Sequence, residues 1–128
     1  MANGKEITLE ESDFLVSETD GKGFIVMANP DFVKISGFTF EELVGQPHNI
    51  LRHKDMPKAA FKDLWATIKS GKVWTGYVKN ATKNGDYYWV YATVSPLKSK
   101  NGIGYISCRK QASPQEIAEV EALYKTMV

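Results

Sequence analysis

Residues 74–90 read WTGYVKNATKNGDYYWV, in which two apolar and aromatic runs flank the dipeptide Asn84-Gly85. Asn-Gly between such runs is the strongest short-range signal for a β-hairpin. The second of these runs continues over residues 87–97, and a third apolar run covers residues 103–110. The second half of the chain is therefore predicted to form three antiparallel strands.

Before this hairpin the sequence predicts a smaller hairpin and two short helices. The apolar runs at residues 14–16 and 24–27 surround a Gly-rich turn, which is typical of a β-hairpin. Asn29-Pro30 then combines an N-cap residue with proline at the first helical position, and this helix ends at Gly37. Residues 39–42 (TFEE) have the spacing of a capping box, which indicates a second helix that ends near residues 43–45.

One longer helix and a terminal helix complete the pattern. Apolar residues recur at helical spacing over residues 60–68 until Gly71. Residues 113–116 (SPQE) form another capping box, which begins a helix with an apolar stripe. We therefore predict an α+β fold with a five-stranded antiparallel sheet, in which the short helices and one long central helix cover one face, plus a C-terminal helix. The predicted division is an N-terminal arm (1–11), the main domain (12–111) and a C-terminal helix or linker (112–128).

The composition is that of an ordinary globular domain. The chain has 128 residues, a net charge of +1 from 16 basic and 15 acidic residues, and a single cysteine, Cys108. Balanced charge gives no support to a nucleic-acid partner or an anionic membrane. No apolar run approaches the roughly 20 residues that span a bilayer, and no secretory leader begins the chain. A lone cysteine fits a reducing compartment, so we expect a cytoplasmic domain without direct membrane insertion.

The order of elements and three motifs resemble the PAS fold, and more narrowly the PAS sensory domain of bacterial aerotaxis receptors. The first motif is residues 28–38 (ANPDFVKISGF), and the second is residues 45–61 (GQPHNILRHKDMPKAAF). The third combines residues 74–80 (WTGYVKN) with residues 83–90 (KNGDYYWV). The similarity covers roughly residues 12–125, and the second motif is the most specific of the three.

The resemblance implies a function, a cofactor and a partner. Such relatives bind FAD non-covalently, catalyse no reaction and report the flavin's redox state to a chemotaxis signalling module. The expected partner is a methyl-accepting chemotaxis-type membrane transducer or its signalling domain, with a homodimer formed through the PAS domain. The positions that match the family's cofactor-binding residues are Arg52, His53, Asp55, Asn29, Trp74 and Asn80.

The chemistry of the second motif is compatible with a flavin but leaves alternatives open. Arg52 is a two-pronged cationic donor suited to a pyrophosphate, and His53 offers a donor or a stacking ring. Asp55 would orient one of them, or would cap the helix that begins near Met56. An Arg–Asp pair in a loop is often only a brace.

Strand alternation gives an independent indication of a ligand. Trp74, Gly76, Val78 and Asn80 share one face of their strand, where an asparagine needs a polar partner. That partner is either the edge of a cofactor or a buried backbone group. The small side chains at Gly76 and Ala92 would leave room for a ligand, whereas Trp74 fits an ordinary core equally well.

The opposite face of the sheet carries three aromatic residues, Tyr77, Trp89 and Tyr91. Exposure of such a patch is unfavourable, so either the terminal arm or the terminal helix covers it, or a partner chain does. The stripe on the terminal helix has the same two interpretations, docking on the sheet or continuing into a coiled coil.

Other chemistries have weaker support. His48 and His53 with Asp55 lack a fourth ligand of metal-site spacing, although either histidine could ligate haem. A flavin–cysteine adduct needs a cysteine in the central segment, and Cys108 lies in the last strand instead. Nucleophilic catalysis has no Cys–His pair or serine elbow. We therefore expect an FAD-dependent redox or oxygen sensor, with a haem gas sensor or a cofactor-free PAS dimerisation module as the alternatives.

Overall fold

A computed structural model of the chain describes residues 4–100 and 102–127. Residues 1–3 of the predicted arm and Val128 of the predicted terminal segment lie outside the described residues. The strands are β1 (Leu15–Thr19), β2 (Ile25–Ala28), β3 (Trp74–Ala81), β4 (Tyr87–Ser99) and β5 (Gly102–Gln111). The helices are α1 (Pro30–Ser36), α2 (Phe40–Leu43), α3 (Lys58–Lys69) and α4 (Pro114–Tyr124), with a 3₁₀ turn at His48–Leu51.

Across the described residues the strands form one antiparallel sheet in the order β2-β1-β5-β4-β3. The predicted hairpin between β3 and β4 turns through Gly85, whose φ of 94° lies in the left-handed region that favours glycine. β5 lies between β1 and β4, so the two halves of the chain meet at the centre of the sheet. The predicted α+β class with a five-stranded antiparallel sheet is confirmed.

The predicted helix caps are also present. The side chain of Asn29 accepts a hydrogen bond from the backbone N–H of Phe32, and Gly37 ends α1 with a φ of 78°. Thr39 and Glu42 form both hydrogen bonds of a capping box at the start of α2. These caps matter because helices this short gain little from propensity alone, so local hydrogen bonds and packing must hold them.

One of the two interpretations of Asp55 is excluded at the start of α3. The N-cap position of α3 is Pro57, which makes no side-chain capping hydrogen bond. The carboxylate of Asp55 instead lies 2.9 Å from Nζ of Lys79 on β3. Asp55 therefore fixes the approach to the helix and does not cap it.

The aromatic face of β3 and β4, called the outer face here, is covered by α4 and by the N-terminal arm. The hydroxyl of Tyr124 donates to the backbone carbonyl of Tyr77 at 2.7 Å, and its ring stacks on Trp89 with centroids 6.3 Å apart. From the arm, the backbone N–H of Ile7 donates to the carbonyl of Tyr87. Trp89 is consequently only 3% exposed, so the docked interpretation of the terminal helix is confirmed.

The contacts of Tyr124 predict a measurable contribution to stability. Substitution Tyr124→Ala removes one hydrogen bond and the ring that covers Trp89, so we expect a loss of about 2 kcal/mol in the free energy of unfolding. Urea denaturation measures it. The neighbouring variant Leu123→Ala is the control, because Leu123 is 56% exposed and its truncation should change stability little. Equal losses in the two variants would contradict the docking of α4.

Candidate functional site

A cavity of about 610 Å³ lies between α3 and the inner face of the sheet, opposite the outer face. Its floor comes from β3, β4 and β5, its roof from α3, and its mouth from the β1–β2 turn and the segment around the 3₁₀ turn. Volumes of this size are typical of small-molecule and cofactor sites. The lining residues are Thr19, Gly21, Lys22, Gly23, Pro47, His48, Asn49, Arg52, Phe61, Leu64, Trp65, Ile68, Lys69, Val78, Asn80, Ala92, Val94, Tyr105, Ser107 and Arg109.

Sheet register determines which side chains reach the floor of the cavity. Ala92 pairs with Gly76 on β3 and with Arg109 on β5, so all three positions share one face. Because side chains alternate along a strand, every second residue of β3, β4 and β5 points into the same space. This alternation places Asn80 and Arg109 on the cavity floor, two strands apart.

The centre of the site is Arg109, a buried cation. Its side chain is 3% exposed, and one guanidinium nitrogen, Nη2, donates to Oγ of Ser17 at 2.8 Å and contacts Nε2 of His48 at 2.7 Å. The guanidinium carbon lies 4.8 Å from the ring centroid of Phe32. The other nitrogen, Nη1, is buried without a hydrogen-bond partner among the described residues. Burial lowers the pKa of Arg109 to about 10, so the group stays charged at neutral pH.

His48 can lie against this cation because its imidazole ring is neutral. Burial, followed by the positive charge of Arg109, lowers the pKa of His48 to about 3. A neutral imidazole whose Nε2 faces a guanidinium donor must carry its proton on Nδ1. Oγ of Ser17 lies 3.1 Å from the same Nε2, so Ser17, His48 and Arg109 form one buried polar cluster.

The whole cavity is positively charged. Its described lining contains no carboxylate. It contains four cationic side chains, those of Lys22, Arg52, Lys69 and Arg109. Three of the four lie at the mouth, where Lys22 and Lys69 are exposed. At the mouth the guanidinium of Arg52 lies 3.8 Å above the ring of Phe61. Such a field favours an anionic ligand that enters with an apolar body and leaves its charged groups at the mouth.

Two of the six predicted site residues, Arg52 and Asn80, line this cavity. Asn80 is 3% exposed, and its amide nitrogen is 3.4 Å from the hydroxyl of Tyr88, which is a long contact. Arg52 and Asn80 are also paired with each other through a backbone bridge, because the segment after the 3₁₀ turn runs along the edge of β3. The sequence therefore identified one residue on the floor and one at the mouth.

His53 and Asp55 lie next to the cavity, outside its lining. Nδ1 of His53 accepts a hydrogen bond from the backbone N–H of Asp55 at 3.0 Å, and its ring meets Tyr87 edge-on. Burial and the nearby charge of Lys79 lower the pKa of His53. The hydrogen bond from Lys79 lowers the pKa of Asp55. Both residues face the outer side of β3.

Asn29 and Trp74 have structural contacts away from the lining. Asn29 accepts from the backbone N–H of Val16 at 3.1 Å and donates to the carbonyl of Phe14 at 2.8 Å, in addition to capping α1. The indole N–H of Trp74 donates to Asp63 on α3 at 2.9 Å. The Trp74 ring lies across Gly76, where an added Cβ would be 2.5 Å from Cη2. The expected free space at Gly76 is thus filled by Trp74, whereas Ala92 does line the cavity.

Sequence reasoning missed the buried cluster of Ser17, His48 and Arg109. His48 was considered only as a metal or haem ligand, and Arg109 was not singled out. A signal was present, because Arg109 shares one face of its strand with Tyr105 and Ser107. Strand alternation applied to β5, as it was to β3, would have placed a charged residue on the buried face.

An antiparallel sheet whose inner face and covering helices enclose a cavity defines a small sensor-type domain of mixed α+β class. The family model described as the PAS fold matches residues 25–107. The chain belongs to the PAS family, and the resemblance identified from the sequence is confirmed.

The most informative relative is the aerotaxis receptor of Escherichia coli strain K12. The chain is 52% identical to it over 120 residues, which are 93% of this chain and 24% of the receptor. The chain thus spans about a quarter of the length of that relative.

Solved structures agree on the fold. The PAS domain of a protein from Colwellia psychrerythraea has a TM-score of 0.63 at 23% identity, covering 77% of this chain and 86% of that one. A structure titled "Flavin Analogue Sheds Light on Light-Oxygen-Voltage Domain Mechanism" has a TM-score of 0.71 at 18% identity, covering 88% and 85%.

In the described part of the chain no helix is long and apolar enough to cross a membrane. Among the same residues no group of three or more histidine, cysteine, aspartate or glutamate side chains is placed to hold a metal ion.

The neutral state of His48 predicts an acid-sensitive stability. The pKa of His48 is about 3 in the folded chain and near 6.5 when unfolded, so acid protonates the unfolded state first. Stability is therefore full above pH 6.5 and falls as the pH drops toward 3. Relative to His48→Gln, which keeps an acceptor, the parent chain should lose about 2 kcal/mol more between pH 6.5 and 4.5. Denaturation at both pH values measures this difference, and parallel pH profiles of the two chains would refute it.

Proposed function

We propose that this PAS domain is a flavin-binding redox or oxygen sensor for aerotaxis, with FAD as its bound group. The observation that carries the proposal is Nη1 of Arg109, which is buried at the floor of the cavity and has no hydrogen-bond partner in the described part of the chain. A buried donor without a partner costs about 1–3 kcal/mol, and more when it is charged. A ligand that brings an acceptor to this position recovers that cost.

The residues present fit a flavin. The isoalloxazine is flat and largely apolar, with carbonyl oxygens and ring nitrogens as acceptors on its edge. Phe61, Leu64 and Ile68 on one side of the cavity and Val78 and Val94 on the other provide apolar walls for such a ring. Asn80 and Arg109 add polar groups between the walls. When bound, the flavin would supply reversible electron transfer, and this chain would supply the binding site and its electrostatic field.

The cations at the mouth favour a ligand with phosphate groups. Lys22, Arg52 and Lys69 surround the opening, and no carboxylate occurs in the described lining. Arginine binds phosphate oxygens in a two-pronged manner, and lysine binds them as a point charge. A single phosphate would engage a part of this set, whereas the pyrophosphate of FAD carries more charge across the same opening. We therefore infer FAD rather than FMN.

The alternatives differ in what the side chains can offer. A haem iron would need an unengaged imidazole nitrogen, but Nε2 of His48 already contacts Ser17 and Arg109. His53 is absent from the described lining. Cys108 alternates with Arg109 and lies on the outer face, so it cannot form an adduct with a ligand in the cavity. A cofactor-free dimerisation module would leave the cationic cavity without a purpose.

The relatives give the proposal its biological setting. The E. coli relative is named an aerotaxis receptor, and one structural neighbour is described through a flavin analogue. For this chain we infer a chemotaxis-type membrane transducer, or its signalling domain, as the partner, together with a PAS homodimer. The signal would leave the site through β3, the strand that carries both Asn80 and Tyr77. The hydroxyl of Tyr77 donates to the carboxylate of Glu116 on α4 at 2.6 Å.

The first test of this proposal is an absorption spectrum of the purified chain after incubation with FAD or FMN. We expect the two bands of oxidised flavin in the near ultraviolet and the blue, with tighter binding of FAD than of FMN. The control is the variant Lys83→Met, which removes a cation from the surface, outside the cavity. A Soret band would favour the haem alternative. Failure to bind either flavin would overturn the proposal.

Arg109 predicts a conflict between stability and binding. Substitution Arg109→Met removes a buried charge that no described carboxylate balances, so the ligand-free chain should be as stable as the parent or more stable. Flavin affinity should fall by at least about tenfold, since the ligand loses a charged donor. Urea denaturation and fluorescence titration measure the two effects. A variant that is less stable but binds flavin normally would show that Arg109 serves the fold alone.

A further inference from the structure

Lys79 is a buried lysine beside the cavity, and the function described above gives it no role. It lies on β3 between Val78 and Asn80, which line the cavity, so its own side chain points to the outer face. Its exposed fraction is 7%, although lysine is among the residues least often buried. Its Nζ lies 4.5 Å from the ring centroid of Tyr87 and 5.9 Å from that of Trp89.

The backbone of Lys79 holds the segment Arg52–Met56 against the edge of β3. Its carbonyl accepts from the N–H of His53 at 3.3 Å, and its N–H donates to Sδ of Met56 at 3.3 Å. The adjacent residue Asn80 forms the bridge to Arg52. The edge of β3 is thus covered by the segment whose first residue reaches into the cavity.

The side chain of Lys79 adds a third contact with the same segment, beside the two hydrogen bonds of its backbone. Nζ donates to Oδ2 of Asp55 at 2.9 Å, and this contact is what lowers the pKa of Asp55. Asp55 is largely exposed, whereas the ammonium is almost fully buried. The aromatic rings around Nζ shield the ammonium from water, which strengthens the attraction to the carboxylate.

We propose that Lys79 is a positioning residue that sets ligand affinity by fixing Arg52 at the mouth of the cavity. This inference rests on the proposed flavin site. His53 and Asp55 then act on the ligand through Lys79 and the segment Arg52–Met56, without touching it. This role explains why His53 and Asp55 belong to the same sequence motif as Arg52. The short segment supplies the side chain at the mouth of the cavity and also the residues that anchor it.

The ion pair predicts unequal effects of its two halves. Asp55→Asn leaves a buried ammonium without its counter-charge, which costs more than losing the pair as a whole. Lys79→Met removes the charge and leaves only a half-exposed carboxylate. We therefore expect flavin binding to weaken by about tenfold in Lys79→Met and by more in Asp55→Asn. The double variant should bind like Lys79→Met, and Lys79→Arg should recover most of the affinity.

A double-mutant cycle with Arg52 separates positioning from general damage. If Lys79 acts through Arg52, the effect of Lys79→Met on the flavin dissociation constant should shrink to less than about twofold in an Arg52→Gln background. Fluorescence titration to saturation measures all four constants. The control is Lys83→Met, which breaks the exposed pair with Glu42 and should leave binding unchanged. An equal loss in both Arg52 backgrounds would overturn the proposal, as would normal binding by Lys79→Met.

Hydrogen exchange tests the anchor without any flavin. The His53 amide, which donates to Lys79, should exchange at least about tenfold faster in Lys79→Met than in the parent chain. The Asn29 amide, which donates to Val16 far from this segment, should be unchanged. Unaltered exchange at His53 would refute the anchor. A chain with the expected exchange that binds no flavin would refute the proposed function instead, so the two failures are distinguishable.

Discussion

The polar arrangement of the cavity depends on one buried positive charge. Arg109, on β5, sits where β1, β5 and the 3₁₀ turn meet, and the other two elements each bring an acceptor for its guanidinium. β1 brings the hydroxyl of Ser17, and the turn brings the neutral ring of His48. Burial without a carboxylate is costly, so a fold that keeps it must gain something elsewhere. In the proposed sensor that gain is a strong donor already aimed into the cavity.

β3 connects the site to the rest of the domain in three directions. Its inner face forms part of the cavity floor through Val78 and Asn80, and its outer face meets α4 through Tyr77. Its edge carries the segment Arg52–Met56. Successive side chains of a strand point to opposite faces, so a movement of β3 caused by contacts on one face also displaces the side chains on the other face. Because the core is densely packed and cannot deform gradually, such a movement would replace one set of side-chain contacts with another.

The fold could be predicted because its signals are local. Asn29, Thr39 and Ser113 begin helices through contacts three residues away, and Gly85 turns a hairpin between neighbouring strands. The core of the site could not be predicted in the same way. Ser17 and Arg109 are 92 residues apart in sequence, and their meeting depends on β5 pairing with β1.

Trp74 shows a second limit of prediction from the sequence. Alternation correctly placed it on the inner face of β3, but the direction of its ring is set by Asp63 on α3. The ring therefore lies across Gly76, a position that sequence reasoning had assigned to the ligand. Asn80 does line the cavity, so alternation alone was sufficient to place it there.

The electrostatics of the cavity indicate how a redox change would be converted into a structural one. A ligand shifts a conformational equilibrium only by its different affinity for the two states. Two opposite unit charges about 4 Å apart attract by about 4 kcal/mol at an effective dielectric constant of about 20. A hydrogen bond that involves a charged group has a net worth of about 1.5–3 kcal/mol. A negative charge gained by the ligand would therefore outweigh the contact between Arg109 and His48, and the guanidinium would turn toward the ligand. Ser17 on β1 and His48 in the 3₁₀ turn would then lose their donor. Because β1 pairs with β5, the change would pass from the cavity into the sheet.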